Sequence, residues 1–347
     1  MNATLPITPP VAVAPRAEAS NVEAVAALAA RRQTLTEQLN RVIVGQQTVI
    51  ENVLLTVFCG GHALIVGVPG LAKTLLVRSL GGALDLRFSR IQFTPDLMPS
   101  DITGTEIIAE DPTTGKRRLE FLQGPVFANL ILADEINRTP PKTQAAMLQT
   151  MQEQEVTAGA KTYPLPKPFH VFATQNPLEM EGTYVLPEAQ SDRFMFSIHC
   201  TYPTHAEEEA VVRNTTGVET ASLVPVLDRD DILEIQKLVR AIPVSDEVIR
   251  YAVRLASWTR PEDSHSPKYV KELVRWGASP RASQYLVLGA KARAAVNGRF
   301  CADYEGVRSV AFEVLRHRLI LNFHARAQKT TPEEIIERIL HDAPQTP

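Results

Sequence analysis

His62-Ala63-Leu64-Ile65-Val66-Gly67-Val68-Pro69-Gly70-Leu71-Ala72-Lys73-Thr74 joins an apolar run, a glycine-bearing turn and a Lys-Thr pair. Ala63 to Val66 is a short apolar run, as expected of a strand buried on both faces. Gly67, Val68, Pro69, Gly70, Leu71 and Ala72 make a turn, and Lys73-Thr74 opens a helical pattern carried by Leu75, Leu76, Val77 and Leu80. A strand, a glycine-bearing loop and a helix start form a phosphate cradle. Loop N–H groups and the positive end of the helix dipole converge on one small volume. Lys73 would reach the β- and γ-phosphates, and Thr74 would offer its hydroxyl to Mg²⁺. The loop departs from G-x-x-x-x-G-K-[ST] at Ala72, where the pattern has glycine. If that position needs a positive φ, alanine costs about 1 kcal/mol there.

A phosphate loop that hydrolyses its ligand needs carboxylates opposite it. Leu130-Ile131-Leu132-Ala133 reads as a second buried strand, and it ends on Asp134-Glu135 about 60 residues after the loop. One carboxylate there can hold Mg²⁺, and its neighbour can orient and deprotonate a water attacking the γ-phosphate. Val171-Phe172-Ala173-Thr174 reads as a third buried strand, ending at Gln175-Asn176-Pro177. Parallel strands place their carboxyl ends in one row, so Asn176 could meet the same water, although Asn-Pro also makes ordinary turns. Arg193 precedes another strand-like run and Arg281 opens a helix two residues after its cap. A guanidinium spreads phosphoryl charge well, but each arginine taken alone also fits a surface position or an ion pair.

The rest of the chain places these motifs in two units. Residues 1–20 are rich in proline and alanine and read as a disordered tail. Residues 21–210 read as an α/β nucleotide-binding domain, opening with a helix capped by Asn21 and spanning Ala24 to Leu39. Two hairpins interrupt it: Thr105–Ile108 with Arg118–Phe121, and a second around Val156–Tyr163, whose flanking prolines exclude a central strand. Thr139 reads as the cap of the helix carrying Met147, Leu148 and Met151. Residues 211–347 read as all-α, with helices expected over Ile232–Ala241, Asp246–Ser257, Arg281–Val296, Val307–Asn322 and Pro332–Leu340. Residues 268–299 carry seven basic side chains against Glu272, a solvated face or one turned to a polyphosphate.

Bulk properties exclude several classes. The chain has 347 residues, 39 acidic and 36 basic, with a net charge of −3, so charge gives no overall drive toward nucleic acid or an anionic membrane. No run of 18 apolar residues is present, so no membrane span is expected. The start lacks the basic, then apolar, order of a signal peptide, and the three cysteines show neither disulfide nor zinc spacing. A cytoplasmic protein is expected.

Taken in order, Gly67–Thr74, Leu130–Glu135 with Ile136-Asn137-Arg138, Ala173–Pro177, Leu186–Phe194 and Gly277-Ala278-Ser279-Pro280-Arg281 resemble the AAA+ ATPases, specifically the MoxR group, over about residues 25–340. Members of that group commonly carry alanine in the phosphate loop. The resemblance implies an α/β AAA+ P-loop core with a central parallel sheet, two β-hairpin insertions and a smaller all-α lid domain. It implies ATP and Mg²⁺ as cofactors. Lys73 and Thr74 correspond to Walker A, Asp134 and Glu135 to Walker B, Asn176 to sensor 1, and Arg281 to the sensor 2 arginine closing the site from the lid. Arg193 resembles the arginine finger that serves a neighbouring subunit in a ring, typically a hexamer. Val44 and Gly45 resemble the segment that packs on adenine, and the hairpins resemble inserts shared with magnesium chelatase and MCM motors. Arg138 matches a recurrent family arginine, with a phosphate or subunit contact and a structural ion pair both open.

The implied function is ATP hydrolysis driving chaperone-like remodelling of a protein client, with a von Willebrand factor A domain protein as partner. One alternative is a nucleic-acid motor, disfavoured because neither hairpin is strongly basic or aromatic. The other is a nucleotide-gated scaffold, which has no need of Lys73, Asp134, Glu135, Asn176 and Arg193 together.

Overall fold

The computed structural model describes residues 15–110, 117–159, 161–178, 182–217 and 222–344, with side chains from residue 22 onward. In chain order the first elements are α1 (Pro15–Asn40), α2 (Gln47–Phe58), β1 (Ala63–Val66), α3 (Lys73–Ala83), β2 (Phe88–Gln92) and α4 (Pro99–Thr103). The hairpin β3 (Gly104–Glu110) and β4 (Arg117–Gln123) follows, then β5 (Leu130–Asp134) and α5 (Pro141–Glu153). Next come the hairpin β6 (Glu155–Ala158) and β7 (Lys161–Pro164), β8 (His170–Gln175), α6 (Glu188–Ser191) and β9 (Phe196–His199). Helices then dominate: α7 (His205–Thr216), α8 (Arg229–Ala241), α9 (Asp246–Ser257), α10 (Lys268–Leu273), α11 (Pro280–Val296), α12 (Tyr304–Ser309), α13 (Ala311–Leu315), α14 (Phe323–Ala327) and α15 (Pro332–Asp342). A two-stranded ribbon, β10 (Val274–Trp276) with β11 (Ile320–Leu321), lies among them.

The central sheet has the order β2-β5-β8-β1-β9, and every neighbouring pair is parallel. All its carboxyl ends therefore share one edge, and all its amino ends the opposite one. Side chains alternate cleanly between two cores, as the period of two requires. Ala63, Ile65, Leu130, Leu132 and Phe172 face one core; Leu64, Ile131, Ala133, Val171 and Ala173 face the other. The second core is closed by α5 and the base of the hairpins through Met147, Leu148, Met151 and Val156. The first core runs without a break from α1 and α2 into the helices after residue 210, including Ile235, Tyr251, Leu286 and Ile336. Helix α11 packs against α1, α2, α8 and α9. Among the described residues no helix is long and apolar enough to cross a membrane.

Several local expectations are corrected. Residues 1–14 of the expected tail lie outside the described residues, and α1 begins at Pro15, so Asn21 lies inside that helix rather than capping it. Thr139 does not cap α5: its hydroxyl donates to Thr94 O at 2.7 Å, and Pro140 takes the cap position. The expected helix Val307–Asn322 is broken. Val310 leaves helical geometry at φ −112° and ψ 2°, and Leu319 is extended so that Ile320 and Leu321 can pair with Val274–Trp276. The capping boxes at Thr204–Glu207 and Thr331–Glu334 are both present, and Ser279 caps α11.

Two buried histidines hold the amino-terminal edge of the sheet. His170 Nδ1 donates to Gly61 O at 2.9 Å, while its Nε2 lies 3.3 Å from Gln236 Nε2, whose N–H also reaches Val57 O at 2.9 Å. His62 Nδ1 accepts from Val171 N at 3.0 Å. Burial, with mutual repulsion as a smaller cause at His62, lowers these imidazoles to about 3 for His62 and about 4 for His170. Both are therefore neutral in the fold and bind protons more readily once unfolded. The stability they contribute is complete above the ordinary imidazole value of 6.5 and is lost as pH falls below it toward 4 and 3. Thermal denaturation should show Tm flat above pH 7.5 and falling below 6.5. His62→Gln and His170→Gln, although less stable at pH 8, should lose less Tm between pH 7 and 5 than the parent; equal losses would mean that these rings do not set the acid limb.

Candidate active site at the carboxyl edge of the sheet

The loop between β1 and α3 is shaped by its backbone. A Cβ on Gly67 would come within 2.9 Å of Cys200 Cβ, so only glycine lets the loop turn against the end of β9. Gly70 has φ +86° and nothing within 4 Å of where a Cβ would stand. Ala72 caps α3 at φ 54°, so the position does require the left-handed region and alanine carries the expected strain. Lys73 Nζ folds back to donate to Gly67 O and to Val68 O, the latter at 3.3 Å. Leu75, one position further, is 41% exposed at the mouth of the loop.

Thr74 Oγ1 lies 3.4 Å from Asp134 Oδ2, so the two motifs 60 residues apart meet across the edge of the sheet. Asp134 is buried and heavily engaged. Thr174 Oγ1 donates to its Oδ1 at 2.6 Å, and Arg90 donates to its Oδ2 from Nε at 2.9 Å and Nη2 at 2.7 Å. The same Thr174 hydroxyl accepts the Glu135 N–H at 2.8 Å. Glu135 itself sits at φ 58°, and its Oε2 accepts from Gln92 Nε2 at 3.0 Å and pairs with Arg138 Nη1 at 3.1 Å. Arg138 thus makes an ion pair with Glu135. Asn176 is buried, and its Oδ1 accepts the Leu178 N–H at 3.1 Å, which fixes how the amide is turned.

Val44 and Gly45 lie on the flank of this site. Gln46 Nε2 donates to Thr201 O at 2.7 Å, one residue from the Cys200 that backs Gly67. Gly45 has φ +67°, and a Cβ there would fall 2.6 Å from Glu207 Oε1 at the start of α7.

Arg193 and Arg281 are elsewhere. Both line a cleft of about 230 Å³ at the amino-terminal edge, together with Gly60, Gly61, His62 and Arg240. The four residues of β1 separate that cleft from the loop by about 13 Å. Within one chain Arg281 therefore does not close the loop's site, contrary to expectation. The reason is the seating of α11, whose first turn is anchored on Asp192 through Ser279 Oγ at 2.9 Å and Arg281 Nη1 at 3.3 Å.

Sequence reasoning missed Arg90, Gln92, Thr174 and Arg240. Thr174 shares a strand face with Asn176, which was a usable signal. The others depend on strand register and on where α8 ends, which no motif encodes.

The sequence matches the ATPase family associated with various cellular activities (AAA) over residues 62–196 and the AAA lid domain over residues 267–339. It is 43% identical over 316 residues to the protein called chaperone MoxR1 of Mycobacterium tuberculosis, covering 90% of this chain and 82% of that one. It is 31% identical over 312 residues to protein MoxR of Paracoccus denitrificans, covering 84% of this chain and 89% of that protein. The crystal structure of a Cytophaga hutchinsonii protein superimposes with a TM-score of 0.87 at 41% identity, covering 94% of this chain and 98% of that chain. With the loop, the acidic pair and the helical region all within the matched span, the chain belongs to the MoxR group of the AAA ATPases.

Proposed function

We propose that this protein is an Mg²⁺-dependent ATPase that works as a ring of its own copies and remodels a protein client. The observation that carries the reading is the division of one chain's chemistry between the two edges of its sheet. The carboxyl edge holds the loop, Asp134, Glu135 and Asn176; the amino edge holds Arg193, Arg240 and Arg281. Neither half is complete alone. A second copy placed head to tail would bring its arginines to the first copy's loop, a heterologous contact that closes into a ring. Six copies is the number the AAA+ resemblance suggests. In this reading residues 21–210 bind the nucleotide and residues 211–347 act as the lid.

The donor set fits Mg²⁺. The Thr74 hydroxyl and the Asp134 carboxylate are hard oxygen donors 3.4 Å apart, close to the roughly 3 Å between neighbouring ligands of an octahedral Mg²⁺. The phosphates would supply further oxygens. Arg90 stands on the same Asp134 oxygen and would have to share it. When bound, the ion would offset the charge on the β- and γ-phosphates.

Each residue then has a task. The backbone of Gly67 to Leu75 and the Lys73 ammonium bind the phosphates, and Val44 and Gly45 pack on adenine. Glu135, held by Gln92 and Arg138, takes the proton of the attacking water at its carboxylate. Asn176 orients that water. Arg193 and Arg281 of the next copy spread charge on the γ-phosphate.

A polypeptide suits the hairpins better than nucleic acid does. Ile108 and Leu119 face each other across β3 and β4 and are 70% and 69% exposed. Arg117 and Arg118 pair with Glu110 and Glu120 on the same hairpin, which leaves little positive potential at those positions. Lys116 lies outside the described residues. Phe121 stacks on Tyr163 at 4.4 Å, so the two hairpins support each other. A von Willebrand factor A domain partner rests on the resemblance alone. A cytoplasmic setting suits the free cysteines Cys59, Cys200 and Cys301.

Three experiments test this reading. Glu135→Gln should keep ATP binding within a few-fold and lower turnover by about 100-fold or more; unchanged turnover removes Glu135 from its role. Arg193→Ala should lose ATPase activity, and mixing it with Lys73→Ala should restore about a quarter of the parent rate, the share of interfaces pairing an intact loop with an intact arginine. No recovery would rule out the contribution across subunits. Ile108→Asp/Leu119→Asp should weaken binding of fluorescein-labelled casein at least about fivefold by removing apolar contact; undiminished casein binding, or a salt-sensitive preference for a single-stranded oligonucleotide over casein, would favour another substrate.

A further inference from the structure

Five side chains from the helical region converge on residues 192–194, the segment that carries Arg193. Arg318, whose side chain is 1% exposed, donates from Nε to Asp192 Oδ1 at 2.8 Å. Its Nη2 donates to Asp192 O at 2.9 Å and Phe194 O at 2.7 Å, and its Nη1 donates to Val314 O and, at 3.4 Å, to Met195 O. The guanidinium also lies 5.3 Å from the centre of the Tyr285 ring, and the Tyr285 hydroxyl donates to Arg193 O at 3.4 Å. His317 Nε2 adds a bond to Phe194 O at 3.1 Å. On the other side of the carboxylate, Ser279 Oγ is 2.9 Å from each Asp192 oxygen and Arg281 Nη1 is 3.3 Å from Oδ2.

We infer that Asp192 and Arg318 are positioning residues that lock the backbone at Arg193, and Arg281 beside it, to the helical region of their own chain, so that both arginines are presented to the next copy as one rigid pair. A planar fork suits this work. It meets a carboxylate and two carbonyls at fixed angles, which a single ammonium could not do. Burial of the whole fork excludes water, so the bonds have no solvent competitor. Because Arg193 O and Phe194 O are held by α11 and by the turn Arg316–Arg318, any tilt of those helices moves Arg193 with them. The helical region therefore acts on the neighbour's nucleotide through Asp192.

The inference rests on the proposed contribution of Arg193 across subunits, and the test separates the two. Three variants, Asp192→Asn, Arg318→Lys and Arg193→Ala, are each assayed alone and mixed with Lys73→Ala. Arg318→Lys keeps a charge for Asp192 but loses the fork to the carbonyls, which guards against the unfolding that a neutral residue 192 could cause. Each positioning variant should lower kcat at least about tenfold while KM for ATP changes less than about twofold, since the chain's own loop is untouched. Mixing with Lys73→Ala should restore about a quarter of the parent rate, because the Lys73→Ala copy supplies well-placed arginines to an intact loop. If Arg193→Ala recovers in the mixture and neither positioning variant does, Asp192 and Arg318 act on their own chain and the inference is overturned. If Arg193→Ala fails to recover as well, the reading across subunits falls and takes the inference with it. An unchanged kcat in folded Arg318→Lys also overturns it.

Discussion

The parallel pairing of β5 with β8 is the contact on which the site depends. Its register sets Ala133 beside Ala173, and the next residue on each strand brings Asp134 to Thr174. One hydroxyl then does two things: it donates to the Asp134 carboxylate and accepts the Glu135 N–H. That second bond helps to hold Glu135 in the left-handed region, a conformation costing about 1–3 kcal/mol for a residue other than glycine. A slip of one residue would turn Thr174 to the opposite face, and the acidic pair would lose its anchor. The carboxylates thus depend on a strand far from them in sequence, and the apolar alternation that sets its register also builds the two cores.

Because all strands of the sheet run one way, its two edges differ in kind. The carboxyl edge offers loop N–H groups and acids. The amino edge offers neutral imidazoles, His62 and His170, and three arginines around one cleft. Arg193, Arg240 and Arg281 are kept from the phosphate loop by the length of β1, while the acids beside the loop pair locally, Asp134 with Arg90 and Glu135 with Arg138. The loop's strain at Ala72 belongs to the same picture, since a helix start held in place by its backbone is ready for an anion.

Much of this was legible in sequence, for physical reasons. Ala63–Val66, Leu130–Ala133 and Val171–Thr174 are short, apolar and followed by turn or acidic residues, so they read as buried parallel strands, and they are. Capping boxes at Thr204 and Thr331 were legible because both partners are three residues apart. What escaped was long-range. Arg90 and Gln92 engage the acidic pair only because β2 lies beside β5, and nothing in Phe88–Gln92 announces that neighbour. The expected helix Val307–Asn322 breaks first at Val310, and at its end the pairing of Ile320 and Leu321 with Val274–Trp276 outweighs local propensity. Arg281 lies at a helix start, as its spacing from Ser279 suggests, but no spacing rule says which edge of the sheet that helix will meet.

The continuous core between the sheet and the later helices bears on how the chain is made. Ile50, Phe58 and Ile65 belong to the same cluster as Leu286 and Ile336. During synthesis the nucleotide-binding half emerges first, with one apolar face still waiting for partners more than a hundred residues away. At translation speeds of about 5–20 residues per second, that face stays open for on the order of ten seconds. A nascent member of the MoxR group would then itself be a client for whatever shields apolar surface at the ribosome.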